Sequence, residues 1–179
     1  MTSLFGARAV ELLRRDGTAA AADALTGKRY VLLYFSAHWC PPCRSFTPIL
    51  KDFYERHGQD KNFEIVFVSR DNSAAEMQSY FQHAHGDWLA MSYRDAHTIG
   101  DDWAQQHGLY AIPSLVVMEN TEQHNLITVY GRDMVLRDPA ALQFPWLNAD
   151  AIIIAARRSF MWKAAAGVVA GIIVLCLLI

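Results

Sequence analysis

The sequence predicts an α/β domain, a mixed central sheet flanked by helices, with a C-terminal apolar segment appended. Three observations predict it. Two continuous apolar runs, Tyr30–Phe35 and Phe63–Ser69, read as buried parallel strands, and each is followed by apolar residues at helical spacing. Two shorter runs, Ser114–Met118 and Leu126–Tyr130, are joined by a polar, hairpin-like loop. After Trp146 the composition turns apolar. A length of 179 residues suits one domain with a short appendage. With 53% apolar and 19% charged residues, disorder is excluded for most of the chain. A net charge of −2 without a basic stripe gives no case for nucleic acid. Three cysteines are too few for a disulfide scaffold, and two of them stand together in Cys40-Pro41-Pro42-Cys43.

Along the chain, Arg8 and Glu11 interrupt any secretory apolar run. Arg8, Arg14 and Arg15 leave a mitochondrial presequence as an alternative, against which Val10, Leu12 and Leu13 read as folded domain. After the first strand, Pro41-Pro42 opens a helix, since a helix interior rejects proline. Phe46, Ile49, Leu50, Phe53 and Tyr54 carry that helix to Gly58, with Pro48 expected to kink it. Asp71-Asn72-Ser73 offers caps for a helix over Ala74–His83. Trp88–Tyr93 is ambiguous, Ala96–His107 reads as a helix ended by Gly108, and Asp138-Pro139 is expected to start a last short helix. Trp88 and Trp103 read as core, and His83 and His85 as solvated residues at a helix end. His57, His97, His107 and His124 fall near helix ends or loops.

Ala164–Ile179 carries no charge. Sixteen helical residues span about 24 Å, short of the roughly 30 Å hydrocarbon core, and Phe160–Trp162 extend the span if Lys163 snorkels. Nine Val, Leu and Ile residues contribute on the order of −4 kcal/mol to insertion. A buried helix or a dimer seam, with Gly167 and Gly171 at close-packing spacing, is the alternative. Nothing polar faces the other side, so the segment is read as a membrane anchor. Residues 1–146 then form the domain, 147–163 a juxtamembrane linker and 164–179 the anchor. Cys176 reads as a small apolar residue.

Cys40 falls where the first helix begins, and there free N–H groups and the helix dipole favour an anion. Cys43, one turn on, is within disulfide reach. A free thiol with a pKa near about 8.5 is only a few per cent thiolate at neutral pH, and lowering it to about 7 makes roughly half of it nucleophilic. Cys40 is expected to attack a substrate disulfide and Cys43 to resolve the mixed disulfide. Zinc needs two further ligands, and His83 and His85 form no convincing second pair, so no metal or cofactor is expected. Ile112-Pro113 precedes a central strand, an unusual place for proline. A cis bond there would set its backbone against the Cys40 sulfur; an ordinary trans turn is the alternative.

These features resemble the thioredoxin superfamily. Tyr34-Phe35-Ser36-Ala37-His38-Trp39-Cys40-Pro41-Pro42-Cys43-Arg44, Asn62–Phe67, Arg137-Asp138-Pro139 and Gln143-Phe144-Pro145-Trp146 are similar to its tryparedoxin branch over about residues 3–146. Trp-Cys-Pro-Pro-Cys is shared with nucleoredoxins, so the combination with Phe-Pro-Trp is the more specific signal. The resemblance implies a thioredoxin fold. It also implies electron transfer from the dithiol trypanothione to peroxiredoxin-type peroxidases and other protein disulfides. It matches Cys40 to the nucleophile and Cys43 to the resolving thiol. Trp39, Pro41, Pro42, Ile112, Pro113 and Arg132 match positions near bound substrate. Tyr34 stands where thioredoxins carry a buried Asp. Departures are Ser69-Arg70-Asp71-Asn72-Ser73, where tryparedoxins have Trp-Asp and acidic residues, and His38 in place of Ser. A protonated His38 would stabilise the Cys40 thiolate; a solvated residue without effect is the alternative. The apolar tail is absent from soluble members. Basic Arg157, Arg158 and Lys163 imply a cytosolic head on the mitochondrial outer membrane, with the endoplasmic reticulum as the other candidate. Two rival functions remain: a nucleoredoxin-like reductase fed by thioredoxin reductase or glutathione, and a tethered, non-catalytic redox sensor.

Overall fold

The computed structural model describes residues 2–5, 8–121 and 123–159. The chain divides into two compact units, Met1–Leu147 and Asn148–Ile179. The first holds strands β1 (Thr2–Phe5), β2 (Arg8–Val10), β3 (Leu12–Leu13), β4 (Tyr30–Ser36), β5 (Phe63–Ser69), β6 (Leu89–Met91), β7 (Ser114–Glu119) and β8 (Leu126–Thr128). Its helices are α1 (Pro41–His57), α2 (Ala74–Ala84), α3 (Tyr93–Asp95), α4 (Asp101–Gln106) and α5 (Gly131–Arg137). β1 and β2 pair with each other, and the other six strands form one sheet in the order β3-β6-β5-β4-β7-β8.

The two apolar runs become the neighbours at the centre, β4 and β5. They run parallel, with Tyr30 opposite Phe63 and Ser36 opposite Ser69. β7 lies antiparallel on the other side of β4, which brings Ser114 opposite Phe35 and the Ile112–Pro113 turn to the end where α1 starts. Side chains alternate across the pleat. Val31, Leu33, Phe35, Val66 and Val68 join a core with Met91 and Val116. On the other face Tyr34 meets Phe46 of α1, and Phe67 meets Tyr80 of α2.

Three boundaries differ from the sequence expectation. The helix expected to begin at Ala96 begins at Tyr93, because the Ser92 hydroxyl accepts from Asp95 N at 3.3 Å and caps an earlier turn. It then passes through a π turn, Ala96–Gly100, in which a Cβ on Gly100 would lie 2.7 Å from a Val68 methyl. The helix expected to start at Asp138-Pro139 instead ends there, as α5. The Asp138 carboxylate is engaged ahead of it, accepting from Leu142 N at 2.9 Å, Gln143 N at 2.8 Å and Trp146 Nε1 at 2.9 Å. Burial alone would raise the Asp138 pKa, but these three donors hold it below the ordinary value. β8 stops at Thr128, whose hydroxyl accepts from Tyr130 N at 3.0 Å. The ambiguous Trp88–Tyr93 segment supplies β6, and Trp88 is core.

In the second unit residues 149–159, within the stretch read as a linker, are helical. Ala164–Ile179, read as the anchor, lies outside the described residues. Among the described residues no helix is long and apolar enough to cross a membrane.

Candidate active site

Cys40 ends the loop after β4 and is the N-cap of α1. Its backbone is extended (φ −89°, ψ 110°), and its sulfur accepts from Cys43 N at 3.4 Å. Pro41 and Pro42 occupy the first helical positions, where no intrahelical N–H partner is lost. Cys40 and Cys43 are joined as a disulfide with Cα atoms 5.2 Å apart. Cys40 is 4% exposed and Cys43 fully buried, so only the first sulfur offers an edge to a partner. The Ile112–Pro113 peptide bond is cis. The Ile112 carbonyl oxygen lies 3.8 Å from the Cys40 sulfur, and the Ile112 side chain packs against Ala37 and both cysteines. The Ile112 carbonyl, 72 positions downstream of Cys40, thus ends up beside its sulfur.

The turn is braced from both sides. His38 N donates to Asp71 Oδ1 at 2.7 Å, and the His38 carbonyl accepts from Arg44 at 2.7 Å. The His38 ring is exposed and lies over Tyr80, with centroids 5.3 Å apart. The Trp39 ring is 53% exposed, and its Nε1 donates to the Arg70 carbonyl at 2.9 Å. Asp71 itself is buried and takes a second bond, from Ser69 Oγ at 2.8 Å. Arg132 sits in α5 with its guanidinium 5.9 Å from the Phe46 ring centre.

Beneath Cys43 lies a hydroxyl cluster that sequence reasoning left out, apart from Tyr34. Thr47 Oγ1 donates to the Cys43 carbonyl at 2.9 Å. Its one proton being used there, it accepts from the Tyr34 hydroxyl at 2.8 Å and the Tyr80 hydroxyl at 2.6 Å. Ser36 Oγ donates to the Tyr34 hydroxyl at 3.0 Å. Burial pushes the Tyr34 phenol well above its ordinary pKa, so it stays protonated and serves as a donor. The signal was present: Thr47 follows Cys43 by four positions, on the same helix face.

His85 corrects the sequence expectation of a solvated residue. It is fully buried among Tyr34, Phe67, Tyr80, Phe81 and Trp88, with the Phe67 and Tyr80 rings 4.3 and 4.5 Å away. Neither ring nitrogen has a hydrogen-bond partner. Burial pushes its pKa down to about 3, with the Arg15 charge adding to the effect, so the ring is neutral. His83, by contrast, is exposed. Among the described residues no group of three or more His, Cys, Asp and Glu side chains is placed to hold a metal ion.

The Cys40–Cys43 pair at the start of a helix is built for exchange of a disulfide with a dithiol. Comparison with known proteins agrees. Residues 27–123 match a family model described as thioredoxin-like. The chain is 38% identical over 140 residues to tryparedoxin from Trypanosoma brucei brucei, covering 78% of this chain and 93% of that protein. It is 39% identical over 136 residues to human nucleoredoxin, of whose length it spans 30%. Tryparedoxin II from C. fasciculata superposes with a TM-score of 0.73 at 39% identity, over 82% of this chain and 93% of that one. A structure of tryparedoxin II complexed with glutathionylspermidine gives 0.72 at 38% identity, over 82% and 98%.

Proposed function

We propose that this chain, which belongs to the thioredoxin-like family of thiol-disulfide oxidoreductases, carries electrons from trypanothione to protein disulfides. Its mixed sheet flanked by helices is the thioredoxin fold. The observation that carries the reading is the place of Cys40: N-cap of α1, one turn before Cys43, beside the Ile112 carbonyl. In the dithiol state the Cys40 thiolate attacks one sulfur of the target disulfide. That S–S bond breaks, the other target sulfur leaves as a thiolate, and a mixed disulfide forms on Cys40. Cys43, deprotonated, attacks the Cys40 sulfur and releases the second target sulfur. The two-electron oxidation is then stored in the Cys40–Cys43 bond until the dithiol reduces it. Ile112 packs beside the sulfur and the exposed Trp39 ring precedes it, both open to a partner chain; Pro41 and Pro42 fix the helix start, and Arg132 lies over Phe46 of the same helix.

The similarity to tryparedoxin, and to a tryparedoxin II complexed with glutathionylspermidine, supports trypanothione as the reductant; a peroxiredoxin-type peroxidase is proposed among the acceptors. The second reading, a nucleoredoxin-like reductase fed by glutathione or thioredoxin reductase, is favoured by the 39% identity to human nucleoredoxin over 136 residues. Measuring reduction of the Cys40–Cys43 bond by trypanothione, glutathione and thioredoxin reductase separates the two. The trypanothione reading expects the fastest turnover with that dithiol and a peroxidase, and it is abandoned if thioredoxin reductase is faster.

Residues 164–179 would tether the domain to a membrane with the domain in the cytosol, at the mitochondrial outer membrane or, failing that, the endoplasmic reticulum. The support is the uncharged stretch of sixteen residues behind Arg157, Arg158 and Lys163. Carbonate extraction of cell membranes tests it: the full chain should stay in the pellet and a version lacking Ala164–Ile179 should not. Equal retention of both removes the anchor.

A further inference from the structure

Next to the redox turn runs a groove of about 430 Å³, lined by Trp39, Leu109, Tyr110 and Ile112, the last of which also packs against the cluster that holds Cys40. Its lining is mainly apolar, and the Tyr110 ring is 84% exposed. Among the described residues two formally charged side chains line it, Arg70 and Asp101, and they pair with each other. Arg70 is held in place by more than that pair. Its backbone N donates to the Ser36 carbonyl at 2.8 Å, its carbonyl holds Trp39, and its guanidinium lies 5.5 Å from the Phe35 ring centre. Asp101 comes from another element, as the first residue of α4. The groove beside Trp39 and Ile112 is thus apolar and aromatic-rimmed, and its two charges cancel.

We propose that the Arg70–Asp101 pair is the specificity determinant of this groove. By cancelling charge beside Cys40 it makes the groove receive the uncharged, apolar flank of a polypeptide disulfide, and it withholds charge-based selection among small thiols. The inference rests on Cys40 being the nucleophile of the proposed function. Its physical content is simple. An unpaired carboxylate at the groove would attract a cationic thiol and repel an anionic one, and an unpaired guanidinium would do the reverse. Paired, they do neither.

The test uses the full chain in detergent micelles and two monothiols that share a tripeptide but differ in charge: anionic glutathione and cationic glutathionylspermidine. The quantity read is the ratio of their rate constants for reducing the Cys40–Cys43 disulfide at low salt. Arg70→Gln exposes the Asp101 carboxylate and should raise the ratio, cationic over anionic, by about five-fold. Asp101→Asn exposes the guanidinium and should lower it by about the same factor. Both shifts should collapse at high salt, where screening acts within a few ångströms. The double variant Arg70→Gln/Asp101→Asn, again neutral, should return the ratio to that of the unaltered chain, an outcome that mere loss of local structure does not produce. Ratios that do not move, or single variants that move it in the same direction, overturn the proposal while the exchange chemistry stands. If the unaltered chain's disulfide is reduced by neither thiol nor by any dithiol, it is the proposed function that fails.

Discussion

On the outer side of the redox turn stand His38, Trp39 and Tyr110, all exposed; beneath Cys43 stand Thr47, Tyr34 and Tyr80, with His85 packed against the two tyrosines, all buried. The outer side chains spend few hydrogen bonds on the fold. Trp39 makes one, to a backbone carbonyl, and leaves its ring to solvent. The inner hydroxyls are bonded among themselves and to the Cys43 backbone. The difference teaches where to look for each effect. Substitutions of outer residues should show in rates. Inner residues hold the helix and strand together and should show in stability and its dependence on pH.

The sharpest way to break the comparison is at the two cysteines, which sit on its boundary. Cys40→Ser should abolish turnover, a loss of at least about a thousand-fold, because a hydroxyl does not supply the thiolate. Cys43→Ser should still attack and then stall, leaving a mixed disulfide on Cys40 that mass spectrometry of the intact protein detects. A Cys43→Ser protein that turns over normally would make the buried sulfur dispensable.

The next largest effect belongs to His85. Its folded pKa of about 3 lies below the ordinary 6.5, so the unfolded chain binds the extra proton. Stability is therefore full above about pH 6.5 and falls as pH drops towards 3. Between pH 7 and pH 5 this one group should cost about 2 kcal/mol. Urea unfolding at the two pH values should show that loss in the unaltered chain and a smaller one in His85→Phe. Equal losses would mean that His85 ionises in place and that the inner layer is more open than its packing indicates.

Thr47→Val removes the shared partner of two tyrosine hydroxyls and should cost about 1–2 kcal/mol in chemical unfolding, with the attack rate of Cys40 changed less than about two-fold. A large rate effect with unchanged stability would place Thr47 with the outer group. The smallest effect is expected at Trp39→Ala: a rise in KM for a protein disulfide of about five-fold, roughly 1 kcal/mol of lost contact, with the melting temperature unmoved. A melting shift without a change in KM would reverse the assignment of that side chain.

Much of this was legible in the sequence, for a reason that individual residues make plain. The strand at Tyr30–Ser36, the helix opened by Pro41-Pro42 and the cap at Ser73 depend on periods and dihedral preferences within a few residues. Cys40 at a helix start is equally local, and so was read correctly. The Ile112–Pro113 bond against that sulfur was anticipated from the sequence motif and its place before a strand. His85 was misread because two residues past the end of a helical pattern is usually a solvated place. Nothing nearby in sequence announces that Tyr34, Phe67 and Trp88 will close around it. Asp138 was misread because Asp-Pro is a sound helix opener, and only the folded turn shows its carboxylate committed to Leu142, Gln143 and Trp146.

The amino-acid order by itself determined the layered architecture, the place of Cys40 at a helix start and the proline turn before β7, since each follows from short-range patterns or a motif a few residues long. The sheet decided the rest. Thr47 meets Tyr80 across 33 positions and Arg70 meets Asp101 across a comparable distance, because parallel strands and their crossover helices carry remote segments to one edge. Whether a charge is paired, or an imidazole is dry, depends on which side chains the folded backbone sets within a few ångströms of it, and local sequence patterns do not contain that information.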